Sequence, residues 1–260
     1  MKYGVITVLV IALSSKLWAE TYVVGAQDIQ YYPHYDFSKP DDKGLAWAIL
    51  QVFAEQSGHT LVYHHMPVKR LQLELRKGNV DFVYPDNPKW YNQNVPAEEK
   101  FFSTPLTRAL GGTIVRPEDV GRGIDSIRRL AIPLGFTPVN WQHRVDARQT
   151  QLVHVTDTLS ALYLLERGRV DAANLEYSVT QYLTSTAVNY GPFTLDPALP
   201  HDNVGFMLST MHHPDIIDEL NTFLATHRDV INSLQSKYLL QRPDSILEQL
   251  QQRFYGSESG

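Results

Sequence analysis

The chain has 260 residues, 43% of them hydrophobic and 20% charged, which suits a globular protein of one large domain or two modest lobes and excludes a disordered or fibrous one. A formal charge of −5 argues against non-specific nucleic-acid binding, which depends on basic patches. With no cysteine, disulfides, thiolate metal sites, a cysteine nucleophile and a lipid-modified N-terminal cysteine are all excluded.

At the N-terminus Lys2 precedes an apolar run over residues 5–13, and "SSKLWA" ends on the small residue Ala19. The run is far shorter than the about 20 residues that span a bilayer. It has the pattern of a secretory signal over residues 1–19, cut before Glu20. No later segment is long and apolar enough to cross a membrane, so the expectation is an exported, soluble chain kept in an enclosed space, the periplasm.

The mature chain opens with "TYVVGAQD", a β-branched strand closed by Gly25, followed by the turn-rich, aromatic "DIQYYPHYDFSKPDDKG". "LAWAILQVFAEQSG" places Leu45, Ile49, Val52 and Phe53 at helical spacing and stops at Gly58. "HTLVYHHM" reads as a strand. "PVKRLQLELRKG" is a helix with Pro67 in its first turn and Leu71, Leu73 and Leu75 along it, and "VDFVY" is the next strand. This order indicates an α/β sheet. The strand then meets "YPDNPKW" (84–90). Its two prolines remove backbone donors and restrict their predecessors, so the strand is expected to end there and offer polar and aromatic groups beyond its end.

The same grammar returns downstream. "RRLAIPLGFTPVNWQ" reads as a strand, a turn and a helix start, with Thr137 as cap and Pro138 at the first position. "LVHVTDTLSALYLLERGRVDAANLEY" is strand, helix, glycine stop and strand. "LRKGNVD" (75–81) and "LERGRVD" (165–171) are the same phrase: helix end, glycine, tight turn, inward valine. With matching elements on either side, they point to two similar lobes. "NVGFMLS" adds a strand. Two amphipathic helices follow, with Ile217, Leu220 and Leu224 on one face, and a last helix from Pro243 carries Ile246, Leu250 and Phe254. Residues 256–260 are expected to be a loose tail.

In this order and over more than 200 residues, these segments resemble the family 3 extracellular solute-binding proteins, the periplasmic receptors best known for amino acids. "VGAQDIQYYPHYDF" is similar to the family's first strand and aromatic binding loop. "LRKGNVDFVYPDN" is similar to the helix and strand leading to the first lobe's binding loop, and "KFFSTPLTRALGGTIVR" to the strand crossing into the second lobe. "LAIPLGFTP" stands where the family has a Gly-Thr-Thr turn, and "GRVDAANLEYS" where it has Gly-x-Val-Asp-Ala with an acid five residues on. The resemblance implies a two-lobed α/β fold of type II, each lobe a sheet flanked by helices. Lobe 1 would span 20–111 and 202–255, and lobe 2 would span 112–201. Two crossover strands, near 108–115 and 199–205, would join them.

It also implies a ligand in the cleft between the lobes, beyond the carboxyl ends of the strands. Glu176 then stands where an acid meets a ligand amino group, with a solvent-facing acid as the plain alternative. Phe136 and Thr137 follow a turn able to cradle an anionic group, and Thr137 serves equally as a helix cap. Tyr35 and Trp90 can stack on a flat or cationic ligand, and Trp141 reads more readily as core. Asp86 and Asn87 can bond ligand polar groups or hold a turn. The family's carboxylate-gripping arginine is missing from its slot, which falls at Gln93, and no arginine lies between Arg76 and Arg108. Arg108 or Arg70 is left to supply a cation, or the ligand is not an α-amino acid.

The adjacent pairs His64–His65 and His212–His213 point to opposite faces in strands and chelate poorly. There is no H-E-x-x-H and no G-x-S-x-G, so neither metal nor cofactor nor catalytic residue is expected. The reading is a monomeric periplasmic solute-binding protein, not an enzyme. It would capture a small polar ligand, an amino acid or a related amine or organic acid, by hinge closure and deliver it to an inner-membrane ABC permease. The alternatives are a sensing subunit for a membrane signalling protein and an enzyme of dehydratase or lytic type on the same scaffold, with Glu176 or Asp86 as general acid.

Overall fold

The computed structural model describes residues 20–90, 95–186 and 190–256. The expected export signal, Gln93 and nearly all of the expected tail lie outside the described residues. From β1 (Thr21–Gln27) the chain passes through the aromatic loop to α1 (Leu45–Ser57), β2 (Thr60–Met66), α2 (Val68–Arg76) and β3 (Phe82–Asp86). A short β4 (Phe101–Phe102) precedes the long β5 (Thr107–Val115). The second lobe holds β6 (Arg129–Pro133), α3 (Gln142–Asp146), β7 (Gln151–Val155), α4 (Thr158–Glu166), β8 (Ala172–Glu176), α5 (Tyr177–Thr186) and β9 (Thr194–Leu195). The chain returns along β10 (His201–Thr210) and closes with α6 (Pro214–Thr226), α7 (Arg228–Lys237) and α8 (Pro243–Tyr255). Among the described residues no helix is long and apolar enough to cross a membrane.

The strands run in the order β2-β1-β3-β10-β5-β8-β6-β7. Within each lobe the βαβ units pair in parallel, β1 with β2 and β3, β6 with β7 and β8. Between the lobes the pairing turns antiparallel. β10 pairs with β5 through its first half and with β3 through its second, while β5 goes on to pair with β8. Two strands therefore cross from lobe to lobe. Helix α2 packs on β1 and β3, and α4 packs on β6, β7 and β8, so each lobe covers its own sheet with its own helices.

The repeated phrase does the same work in both lobes. After α2 and α4 the chain turns through Gly78 (φ 71°) and Gly168 (φ 61°), a left-handed conformation that a side chain would strain. Val80 and Val170 are buried directly afterwards. Asp81 then binds the neighbouring strand at both ends: its Oδ2 accepts from Val23 N–H (2.7 Å) and its own N–H donates to Val23 O (2.8 Å). Asp171 repeats this on Arg129, with Oδ2 accepting from the N–H at 2.7 Å and its own N–H reaching the carbonyl at 2.9 Å. The phrase sets the register of β3 beside β1 and of β8 beside β6.

Three local expectations are corrected. β1 does not close at Gly25 but runs on to Gln27, its register held by pairing through Gln27 with Met66, while the missing side chain lets Leu71 and Val80 approach. β3 does not end at Tyr84. It includes Pro85 and Asp86, because a register shift opposite Met207 and Ser209 forms a bulge that spares Pro85 the need for a donor. Thr137 and Pro138 do not open an α-helix: Pro138 has ψ 59°, a 3₁₀ turn covers Val139–Trp141, and the α-helix starts at Gln142.

Asp42 ties the aromatic loop to the end of α7. Its Oδ1 accepts from Tyr238 Oη (2.6 Å) and Gly44 N–H (3.1 Å), and its Oδ2 from Tyr32 Oη (3.3 Å). Burial alone would raise this carboxyl, but the hydrogen bonds and the Lys237 charge outweigh it and hold the pKa below the usual range. A carboxyl depressed in the folded chain adds stability that is fully present above its unfolded value of about 3.9 and is lost as pH falls through the folded value. Asp42→Asn is therefore expected to be less stable than the parent at pH 7, with the gap narrowing below about pH 4. Urea midpoints at pH 7 and pH 3 check this, and a gap that ignores pH would refute it.

Candidate functional site

Because the strands of each lobe run parallel, their carboxyl ends face one another across the crossing strands, and the loops beyond them enclose a cavity of about 150 Å³. Lobe 1 contributes Gln27, Tyr31 and Tyr35 from β1 and its loop, Val68, Leu71 and Gln72 from α2, and the 85–90 segment. Lobe 2 contributes the Gly135–Phe136–Thr137 turn and the end of β8 with Asn174 and Glu176. The lobes touch at the mouth. The Tyr31 and Phe136 rings meet edge-on at 5.8 Å, and Gly135 sits against the Val68 side chain.

The structure brings Tyr35, Asp86, Asn87, Trp90, Phe136, Thr137 and Glu176 to this one cavity. It does not bring Arg70 or Arg108 there. Arg70 is on the open side of α2, 65% exposed, with Glu74 at 3.6 Å. Arg108 is exposed on β5 and faces a groove it shares with Asn221 and Arg228 of the C-terminal helices. Alternation along β5 explains this: Ala109 and Gly111 line the cavity, and Arg108, one residue before Ala109, points away. Trp141 is core, its indole N–H donating to Thr113 Oγ1 at 3.2 Å.

Glu176 is 2% exposed. Its Oε2 accepts from Val179 N–H (2.6 Å), capping α5, and its Oε1 accepts from Leu110 N–H (3.2 Å) on the crossing strand. Behind it lies the buried His34, with Nε2 3.4 Å from Oε1 and neither ring nitrogen hydrogen-bonded. Aromatic rings close in around the carboxylate. Tyr31 and Tyr35 stack at 5.3 Å, and Phe206 lies within about 6 Å of Tyr31, Tyr35 and Trp90. Burial first, and then the Glu176 charge, push the Tyr31 phenol above its ordinary pKa. Burial and the neighbouring Tyr31 do the same to Tyr35. Both therefore remain hydroxyl donors, and Tyr35 Oη donates to Gln27 Oε1 at 2.5 Å.

Asp86 and Asn87 are engaged within the chain. Asp86 Oδ2 accepts from Lys100 Nζ (2.6 Å), Ser209 Oγ (2.6 Å) and Gln72 Nε2 (3.1 Å), and its Oδ1 from Asn87 N–H (2.8 Å). Asn87 donates to Gly205 O (2.8 Å) and accepts from Lys89 N–H (2.9 Å). Sequence reasoning missed Tyr31, Gln27, Gln72 and Phe206 as lining residues. Tyr31 stands in the aromatic loop that was singled out. Phe206 sits on a crossing strand whose alternation signals its inward face, whereas nothing in the sequence pairs Lys100 with Asp86.

No protein-family model matches the sequence, and no curated protein matches it in sequence. Solved structures do match the fold. An arginine transport-system periplasmic binding protein from Legionella pneumophila superimposes with a TM-score of 0.67 at 16% identity, over 85% of this chain and 100% of that one. A histidine kinase sensor domain similar to periplasmic binding proteins gives 0.66 at 18% identity, over 84% and 96%. An ancestral amino-acid-binding protein, AncCDT-1, described as a precursor of cyclohexadienyl dehydratase, gives 0.61 at 17% identity, over 84% and 95%. The neighbours thus span transport, sensing and the ancestry of an enzyme. Element order, two antiparallel crossing strands and an interlobe cavity agree with them: this chain has the two-lobed fold of the type II periplasmic binding proteins.

Proposed function

We propose that the protein is a periplasmic receptor that shuts its two lobes on a small amine-bearing solute and hands it to an inner-membrane permease. One observation carries the reading. A buried carboxylate, Glu176, faces an aromatic cavity between the lobes, and among the described residues its ion-pair partner is a histidine rather than a lysine or arginine. A carboxylate so placed can pair with a ligand ammonium, and the surrounding rings favour the same charge. Tyr35, Trp90, Phe136 and Thr137 would complete the contacts. Asp86 and Asn87 would hold the wall. Arg70 and Arg108 have no direct part in it. The contact of Gly135 with Val68 supports a cleft able to shut at this point, and β5 and β10 are the strands that would absorb the hinge rotation. A second reading, a sensing module upstream of a signalling protein, draws on the likeness to a kinase sensor domain.

A thermal-shift screen of amino acids, amines, polyamines, small peptides, organic acids and sugars tests the receptor reading. A true ligand at 100 times its Kd adds about 2.7 kcal/mol, roughly 5–10 °C for a chain of this size. It should be recovered chemically unchanged. No stabilising class, or conversion of the ligand to a product, would overturn the reading.

A further inference from the structure

The charges and donors around the cavity narrow the ligand further. Three acids line it, Asp86, Glu176 and Asp202, and Lys89 is the lysine or arginine among its lining residues. Asp202 faces Lys89 at 3.4 Å on the rim. Asp86 holds Lys100 at 2.6 Å, and the same ammonium also reaches Gln72 Oε1 (3.3 Å) and lies over the Phe102 ring. Pair by pair, each lysine is matched to an acid, and Glu176 is left without one.

Four loop N–H groups that could hold an anion are spent as well. Phe136 N–H donates to Pro133 O, Asn87 N–H to Asp86, Lys89 N–H to Asn87 Oδ1, and Trp90 N–H to Asn87 O. A ligand carboxylate would enter a wall whose buried ammonium and these four amides are already taken, and would have to draw the exposed Lys89 away from Asp202 to meet a lysine. The remaining space is small. About 150 Å³ is the size of an apolar cavity that accepts benzene, and Tyr31, Phe136, Trp90 and Phe206 supply ring faces and edges.

Resting on the receptor reading, we infer that the ligand is a primary amine without a carboxylate, carried on a flat apolar body: an arylalkylamine, with its ammonium on Glu176 and its ring among these aromatics. Phenethylamine, L-phenylalanine and 3-phenylpropionate separate the contributions, because they share a ring and differ in amine and acid. Calorimetric titration of the full mature chain should show phenethylamine binding about 100-fold or more tightly than either acid-bearing probe, the scale of one uncompensated buried charge. Glu176→Gln keeps the shape and an acceptor for Val179 N–H, and should lose about 100-fold or more of the phenethylamine affinity, while it stays folded with a melting temperature lowered by the lost acceptor for Leu110 N–H.

Comparable or tighter binding of L-phenylalanine or 3-phenylpropionate overturns the inference, as does unchanged affinity in the Glu176→Gln chain. Failure of phenethylamine to bind also overturns it. The two readings remain separable by small-angle scattering of the wild-type chain against the screened solutes. If another solute class shrinks the particle while phenethylamine does not, only the arylalkylamine inference falls. If none does, the receptor reading falls with it.

Discussion

Replacing Lys100 with methionine is expected to lower the unfolding free energy by about 3–5 kcal/mol, the cost of leaving one member of a buried ion pair alone. The side chains of Lys100 and Asp86 are 2% and 4% exposed, and their atoms meet at 2.6 Å. Removing the ammonium strands a carboxylate with Ser209, Gln72 and the Asn87 N–H as its remaining donors. For a chain of this length the melting temperature should fall by about 6–20 °C. The double variant Lys100→Met/Asp86→Asn removes both charges and should recover at least half of the loss, because the pair's own net contribution is small next to the penalty for breaking it. Guanidinium unfolding of the parent, the single and the double variants measures this. A single variant within about 1 kcal/mol of the parent, or a double variant no better than the single, would show that the pair is not the buried clasp described here.

Placing a side chain at Gly135 should weaken ligand binding by about tenfold or more, through the cleft rather than through the ligand. Gly135 has φ +92°, and a Cβ there would stand 3.2 Å from Val68 Cβ on the opposite lobe. Gly135→Val therefore does two separable things. It strains the backbone of lobe 2, which costs about 1–2 kcal/mol of stability, and it wedges the mouth open. Combining it with Val68→Ala removes the two Val68 methyls, 3.5 and 3.7 Å from that Cβ, so it relieves part of the wedge and leaves the strain. The double variant should regain affinity for whichever solute stabilises the parent, yet keep the lower melting temperature, with Val68→Ala alone as the reference for the lost lining contact. Scattering should show the single variant failing to contract on ligand addition. Parent-like affinity in Gly135→Val, or no recovery in the double, would mean that closure at this contact does not contribute to binding.

Much of the architecture was legible because it follows from short-range pattern. Leu45, Ile49 and Phe53 at helical spacing specify α1 and its buried face. The twin Gly-x-Val-Asp phrases specify two turns of the same shape, and the aspartates at their ends turn out to bind equivalent strands. Where local pattern misled, a longer-range contact had overridden it. Gly25 does not end a strand because β2 and β3 hold the backbone on both sides, and Pro85 stays in the sheet because β10 shifts register beside it. Pro138 follows helix-start grammar, but its backbone turns out of the helical region.

The candidate site was legible in the same uneven way. The resemblance to the solute-binding proteins puts the ligand just past the carboxyl ends of the strands, and this, with chain order, is what gathered Trp90, Phe136 and Glu176 into one hollow. Arg108 and Arg70 were named for their charge, and charge carries no direction; strand alternation turns one away and the helix face turns out the other. The sequence by itself therefore determined the elements, the two-lobed plan and the neighbourhood of the cleft, since periodicity and turn chemistry act over a few residues. Only the tertiary structure decided which polar groups neutralise one another. Lys100 meets Asp86 and Glu176 is left facing the aromatics because burial and opposite charge select partners by distance in space, and separation along the chain has no bearing on that choice.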